Sequence, residues 1–368
     1  MNTTYNVIDS DGHVLEPPKM WAEFLDPAFR DRAPEIFIDT DGKSRLRLEG
    51  KVLGGNGNTG FATVGGIDMR NGGPPPSTYE EGRRGGFDPQ ARIVDLDLDG
   101  IDAAFLYPTI GLITCGSVED PEFSAAMCRA YNRWLAEYCA PYPDRLFGVA
   151  MLPMQSVEHA VEEARFARET LGFRGAFVRP NPFNNRLLCD PAYDPLWQLA
   201  QDLDISISVH EGTGGMPAAG VDRVEGPSAR HITSHTVEMM LASLNLIWGG
   251  VCERFPRVRF AFLEGGGGWM AGWLDRMDRH FDEGNRADAP PGRPSDYFRR
   301  QCWISFEPAE GSIGYLAEYL GADKILWATD YPHRDGFFPG APKLIADKLP
   351  ERLQRQVLAG GAIGFYNL

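Results

Sequence analysis

Val258-Arg259-Phe260-Ala261-Phe262-Leu263 is apolar at nearly every position on both faces that an extended chain presents. Such a strand needs cover twice, from helices on one side and from packed core on the other. Similar short runs recur at Tyr5–Asp9, Ala103–Tyr107, Leu146–Met151, Gly175–Val178, Ile205–Val209, Cys302–Ser305 and Ile325–Thr329, each followed by a helical pattern. Strands alternating with helices in this way predict parallel β/α units, hence an α/β fold and a (β/α)8 TIM barrel. A doubly wound open sheet is the alternative, but no glycine-rich phosphate fingerprint follows the first run.

The helical patterns are clearest at Pro121–Ala140, where Phe123, Met127, Tyr131, Leu135 and Tyr138 repeat every three or four residues. Ser156, with Glu158 behind it, reads as an N-cap. Thr236–Trp248 gathers Met240, Leu241, Leu244, Ile247 and Trp248 on one side.

One region breaks the rhythm. Between Gly54 and Gly86 lie eleven glycines and Pro74-Pro75-Pro76. This stretch follows the alternating segment Lys43–Leu53, which reads as a hairpin. Residues 31–86 are therefore read as an insertion after strand one, part strand and part mobile loop, placed to form a lid over the active face. Gly212–Gly226 would lie on the same face, and Asn285–Pro294 reads as a surface loop. The whole chain, 1–368, is expected to be one barrel domain that carries this insertion.

The 368 residues carry a formal charge of −15, with 43% hydrophobic and 24% charged residues. A chain this acidic repels phosphate backbones and anionic bilayers, so neither nucleic acid nor membrane is an expected partner. The first residues lack a basic and apolar leader pattern, and no apolar run is long enough to span a bilayer. The six cysteines form no C-x-x-C pair, as expected of reduced thiols in a cytoplasmic protein.

The chemistry gathers where the runs end. The first leads into Asp9-Ser10-Asp11-Gly12-His13, the fifth into His210, the sixth into Glu264 and the eighth into Asp330. Strand C-termini of a barrel meet at one mouth. Asp11 and His13, two apart in extended chain, can point the same way. Taken singly, His210 could be a hydrogen-bonded core histidine and Asp330 a helix cap. Taken together, Asp11, His13, His210 and Asp330 form a donor set suited to a divalent first-row metal.

The segments Ile8-Asp9-Ser10-Asp11-Gly12-His13, Ser208-Val209-His210-Glu211, Phe262-Leu263-Glu264-Gly265-Gly266-Gly267 and Leu326-Trp327-Ala328-Thr329-Asp330-Tyr331-Pro332-His333 resemble the amidohydrolase-related branch of the amidohydrolase superfamily. Aminocarboxymuconate-semialdehyde and resorcylate-type decarboxylases typify that branch. Gly249–Pro256 and Leu358–Tyr366 are similar to it as well. The resemblance implies a distorted barrel with a divalent metal, zinc or manganese, and a dimer or tetramer of identical chains; a hetero-oligomer with a related chain is also possible. It spans nearly everything except the glycine-rich insertion.

Two departures stand out. The branch often opens on H-x-H where this chain has Asp11-Gly12-His13, which widens the metal choice towards harder ions such as manganese or iron. Many decarboxylases of the branch carry histidine where this chain has Glu264. Glu264 is therefore open to three readings: a group orienting a histidine, a general acid/base, or a ligand to a second metal together with His235. His235 and His333 are candidates for proton transfer, and Arg179, after the fourth run, for holding a substrate carboxylate. Phe61, Trp269 and Trp21 could line an apolar pocket.

The resemblance implies a metal-dependent lyase or hydrolase acting on a small molecule, with nonoxidative decarboxylation of an aromatic or unsaturated acid favoured over hydrolysis. The alternatives are a dinuclear iron or manganese oxygenase on the same scaffold and a non-catalytic partner subunit.

Overall fold

The structure is a computed structural model and describes residues 4–53, 61–212, 216–284, 287–288 and 290–368. Eight strands form a parallel sheet in the order of the chain: β1 (Ile8–His13), β5 (Ala103–Tyr107), β6 (Leu146–Met151), β7 (Gly175–Val178), β8 (Ser206–His210), β9 (Phe260–Leu263), β10 (Cys302–Phe306) and β11 (Ile325–Trp327). All but Phe147 of their residues are buried, so neither face of the sheet is left to solvent.

The seam between last and first strands is closed by backbone and by one aspartate. His13 N–H donates to Tyr331 O (2.6 Å) and Asp330 N–H to Asp11 O (3.3 Å). Buried Asp9 accepts from Thr329 N–H (3.0 Å) and from the Thr329 hydroxyl (2.5 Å). At the opposite end the short helix Gly361–Tyr366 seals the barrel. The Tyr366 ring stacks on Phe105 with centroids 3.3 Å apart, and its hydroxyl meets Tyr107 Oη (2.8 Å) and donates to Ser10 O (3.0 Å).

Between β1 and β5 lies a three-stranded antiparallel sheet, β2 (Glu35–Ile38), β3 (Ser44–Leu48) and β4 (Lys51–Leu53). Glu49 (φ +49°) and Gly50 (φ +77°) join β3 to β4, the two left-handed residues that a tight hairpin of this twist demands. Beyond it, residues 61–86 run as short 3₁₀ turns. Parts of the three irregular stretches noted in the sequence, residues 54–60, 213–215, 285–286 and 289, lie outside the described residues.

Two boundaries differ from the sequence reading by more than a residue or two. β1 extends to His13 rather than ending at Asp9, with its register shifted between Asp9 and Gly12. The helix placed at Thr236–Trp248 runs from Pro227 to Ile247. Its first turns are polar and lack apolar periodicity, but Pro227 in the first turn was the available signal. His231 and His235 therefore both sit within that helix. Trp21 is a core residue at 1% exposure. No described helix is long and apolar enough to cross a membrane.

Candidate metal centre

His13 ends β1 and His210 ends β8, with three strands between them in the sheet, and both are wholly buried. His13 Nδ1 lies 2.9 Å from Pro108 O, and His210 Nδ1 lies 2.6 Å from Glu211 O. A carbonyl only accepts, so each Nδ1 carries a proton and each Nε2 is the nitrogen turned inward. Those two Nε2 atoms lie 3.6 and 3.3 Å from Asp11 Oδ1. Asp330 Oδ1 is 3.4 Å from His13 Nε2.

Asp11 Oδ1, His13 Nε2 and His210 Nε2 are buried without hydrogen-bond partners. Burial, with His333 and His210 nearby, holds the His13 pKa well below the ordinary histidine value, so the ring is neutral at pH 7. The lone pair of neutral His13 aimed at the Asp11 carboxylate is repulsive unless a cation lies between them. Two imidazole nitrogens and two carboxylates fit a divalent first-row ion.

Asp330 takes a left-handed backbone (φ +53°), rare for a residue with a side chain. Burial raises its carboxyl to about 6, and Asp335 and Asp11 add to the rise against the pull of His333. His333 Nδ1 lies 2.6 Å from Asp330 Oδ1, and its Nε2 lies 2.8 Å from Thr109 Oγ1. The Thr109 hydroxyl gives its own proton to Val14 O (2.6 Å), so it can only accept from His333. Both ring nitrogens must then donate, and His333 is an imidazolium. Burial opposes that charge, but Asp330 and its hydrogen bond outweigh it and raise the pKa. The ring stacks on His13 at 4.2 Å.

Glu264 directly follows β9, also left-handed at φ +51°. Its Oε2 is 3.2 Å from His210 Nε2 and its Oε1 is 3.6 Å from His235 Nε2. Burial, then the charges of Asp330 and Asp11, push its carboxyl well above the usual carboxylate range. His235 Nδ1 faces His231 O (3.2 Å) and Ser234 Oγ (2.9 Å), which donates to the same carbonyl, so His235 too aims an Nε2 lone pair inward. Ligand atoms of His231, His235 and Glu264 lie within 4.8 Å of one another, as do those of Asp11, His13 and His210, and those of His13, Asp330 and His333.

Arg179 is buried and committed to protein. Its Nη2 donates to Glu211 Oε1 (3.0 Å) and Gly212 O (2.6 Å), its Nη1 to Leu112 O (2.9 Å), and its Nε to Asn181 Oδ1 (3.0 Å). The residues missed by sequence reasoning are those after β5. Pro108 and Thr109 hold two of the histidines, and the Glu16 carboxylate anchors the segment by accepting from the backbone N–H groups of Thr109, Ile110 and Gly111. Tyr107-Pro108-Thr109 ends a barrel strand like the other site segments, and that position was the available signal.

The amidohydrolase family model matches residues 8–368. The chain is 26% identical over 287 residues to 2-amino-3-carboxymuconate-6-semialdehyde decarboxylase of Dictyostelium discoideum, covering 77% of each. It superposes on an amidohydrolase from Mycobacterium avium subsp. paratuberculosis with a TM-score of 0.81 at 20% identity, over 100% of this chain and 99% of the other. A dihydroxybenzoic acid decarboxylase from a Polaromonas species, with bound manganese and 2-nitroresorcinol, gives a TM-score of 0.66 at 19% identity, over 99% and 98%. At these identities the two structural likenesses bear on the fold.

Proposed function

For a chain that belongs to the amidohydrolase family, we propose nonoxidative decarboxylation of a small aromatic or unsaturated carboxylic acid at a centre of one divalent metal, zinc or manganese. Asp11, His13, His210 and Asp330 would hold the ion. The observation that carries this reading is the trio of buried, unpartnered atoms, Asp11 Oδ1, His13 Nε2 and His210 Nε2, with both histidine tautomers fixed by backbone carbonyls. The decarboxylase names and the bound manganese among the similar proteins support the reaction class and the metal.

When bound, such an ion would draw negative charge from a substrate oxygen and ease cleavage of the carbon–carboxylate bond. The chain's own task is to supply a proton to the carbon that loses carbon dioxide, so that an acid anion and a proton become the shortened product and CO2. We assign that proton to the Glu264 carboxyl, which stands beside His210 at the mouth and is recharged from water. His333 orients Asp330 through its 2.6 Å bond. Arg179, with its donors already engaged, fixes the loop after β8 rather than gripping the substrate.

The test is a panel of hydroxylated aromatic acids incubated with metal-loaded protein in the absence of oxygen. Equimolar CO2 and shortened product, lost in Asp330→Ala, is the expected result; no turnover until dioxygen is admitted contradicts it. A second reading, a dinuclear iron or manganese oxygenase, is favoured by the His231, His235 and Glu264 donor group. Two ions per chain and oxygen uptake matched to turnover would select it.

A further inference from the structure

The segment that carries Asp330 and His333 is folded tightly on itself: Phe337 N–H donates to Thr329 O (2.7 Å), His333 N–H to Asp330 O (2.9 Å) and Gly336 N–H to His333 O (3.0 Å). It also holds Asp330 in its left-handed backbone, a conformation that persists only where the surroundings over-determine it. Much of that constraint comes from the insertion. Ile67 N–H donates to Pro332 O (3.2 Å), and Val64 O accepts from Arg334 N–H (3.1 Å). Arg70 Nη1 donates to Asp335 O (2.8 Å) and Gly336 O (3.1 Å), while its guanidinium lies 3.6 Å over the Phe337 ring. Asn71 Nδ2 donates to Phe338 O (2.7 Å). The Ile67 side chain packs with Tyr331 and Phe338 in a small cluster apart from the main core.

We propose that the described part of the insertion, residues 61–86, is a clasp rather than a lid, and that Arg70 and Asn71 are positioning residues for Asp330 and His333. The carbonyls of Asp335, Gly336 and Phe338 accept from Arg70 and Asn71 of the insertion. Arg70 engages two of them and stacks on the intervening aromatic, which couples the carbonyls' orientation to a rigid plane. The effect on the metal rests on the metal-centre reading above; the effect on the loop does not.

The experiment compares the wild type with Arg70→Ala/Asn71→Ala and with Arg70→Lys, which keeps a donor for the carbonyls. Two readouts are taken: hydrogen exchange of the amides in 329–338, and the rate at which a chelator strips manganese from loaded protein. In the double variant the loop amides should exchange faster, and manganese should be stripped about tenfold faster or more, the scale by which removing groups behind a ligand weakens metal binding. Exchange across the barrel strands should be unchanged, and Arg70→Lys should recover part of both effects. Unchanged exchange in 329–338 overturns the clasp. Faster exchange with unchanged manganese release, in protein that binds manganese, overturns the positioning role. A wild type that binds neither manganese nor zinc condemns the metal-centre reading and leaves the exchange measurement to decide the clasp.

Discussion

His13 and His210 each commit one ring nitrogen to a backbone carbonyl, so neither is free to turn, and the remaining nitrogens face Asp11 across less than 4 Å. Replacing either histidine by alanine should lower metal affinity by orders of magnitude with little loss of fold, measured by metal titration beside circular dichroism. Proton and metal also compete at Asp330. Its carboxyl, raised to about 6, is ionised above that pH and protonated below it. Metal affinity should thus be level from about pH 7 to 8 and fall roughly tenfold per unit below about 6, since the ligand must be deprotonated to bind. His13, held far below its ordinary value, should add no competition in that window. An affinity that stays level down to pH 5 would remove Asp330 from the ligand set.

Among elements, the strand ends were legible and their supports were not. Asp11, His13, His210, Glu264 and Asp330 stand at the ends of runs whose apolar pattern marks them as buried strands, so their meeting at one mouth follows from the topology. Pro108 O and Glu211 O were invisible, because a backbone carbonyl carries no residue-type signal. The true start of the helix Pro227–Ile247 was missed because its first turns are mostly polar and carry no apolar repeat.

Glycines give element-scale tests of opposite sign. A Cβ at Gly336 would lie 2.5 Å from Asp330 O and 2.9 Å from Thr329 O, both unyielding backbone. Gly336→Ala should destabilise by roughly 1–3 kcal/mol, as overpacking does, and weaken metal binding as the loop shifts. Gly272, inside the helix Met270–Asp282, has nothing within 4 Å of that position. Gly272→Ala should stabilise by about 0.5–1 kcal/mol and leave the metal untouched. Chemical denaturation reads both; equal effects would mean that the loop is looser than its hydrogen bonds indicate.

Over the whole molecule, one tyrosine links the barrel's sealed end to the strand that bears two ligand candidates. Tyr366 Oη donates to Ser10 O, next to Asp11, and meets Tyr107 Oη, itself 2.6 Å from Ser208 Oγ two residues before His210. Tyr366→Phe leaves a buried acceptor unmatched and should cost about 1–3 kcal/mol of stability. Eight β/α repeats were legible from strand periodicity. The contacts of the insertion were not, since Arg70 and Asn71 act on carbonyls some 265 residues away in sequence.

Elemental analysis of purified protein, wild type beside His13→Ala/His210→Ala, bears most directly on the metal centre. About one divalent ion per chain, retained through dialysis in the wild type and absent from the folded double variant, is expected. A wild type that decarboxylates without metal, or a double variant that keeps its ion, would contradict it.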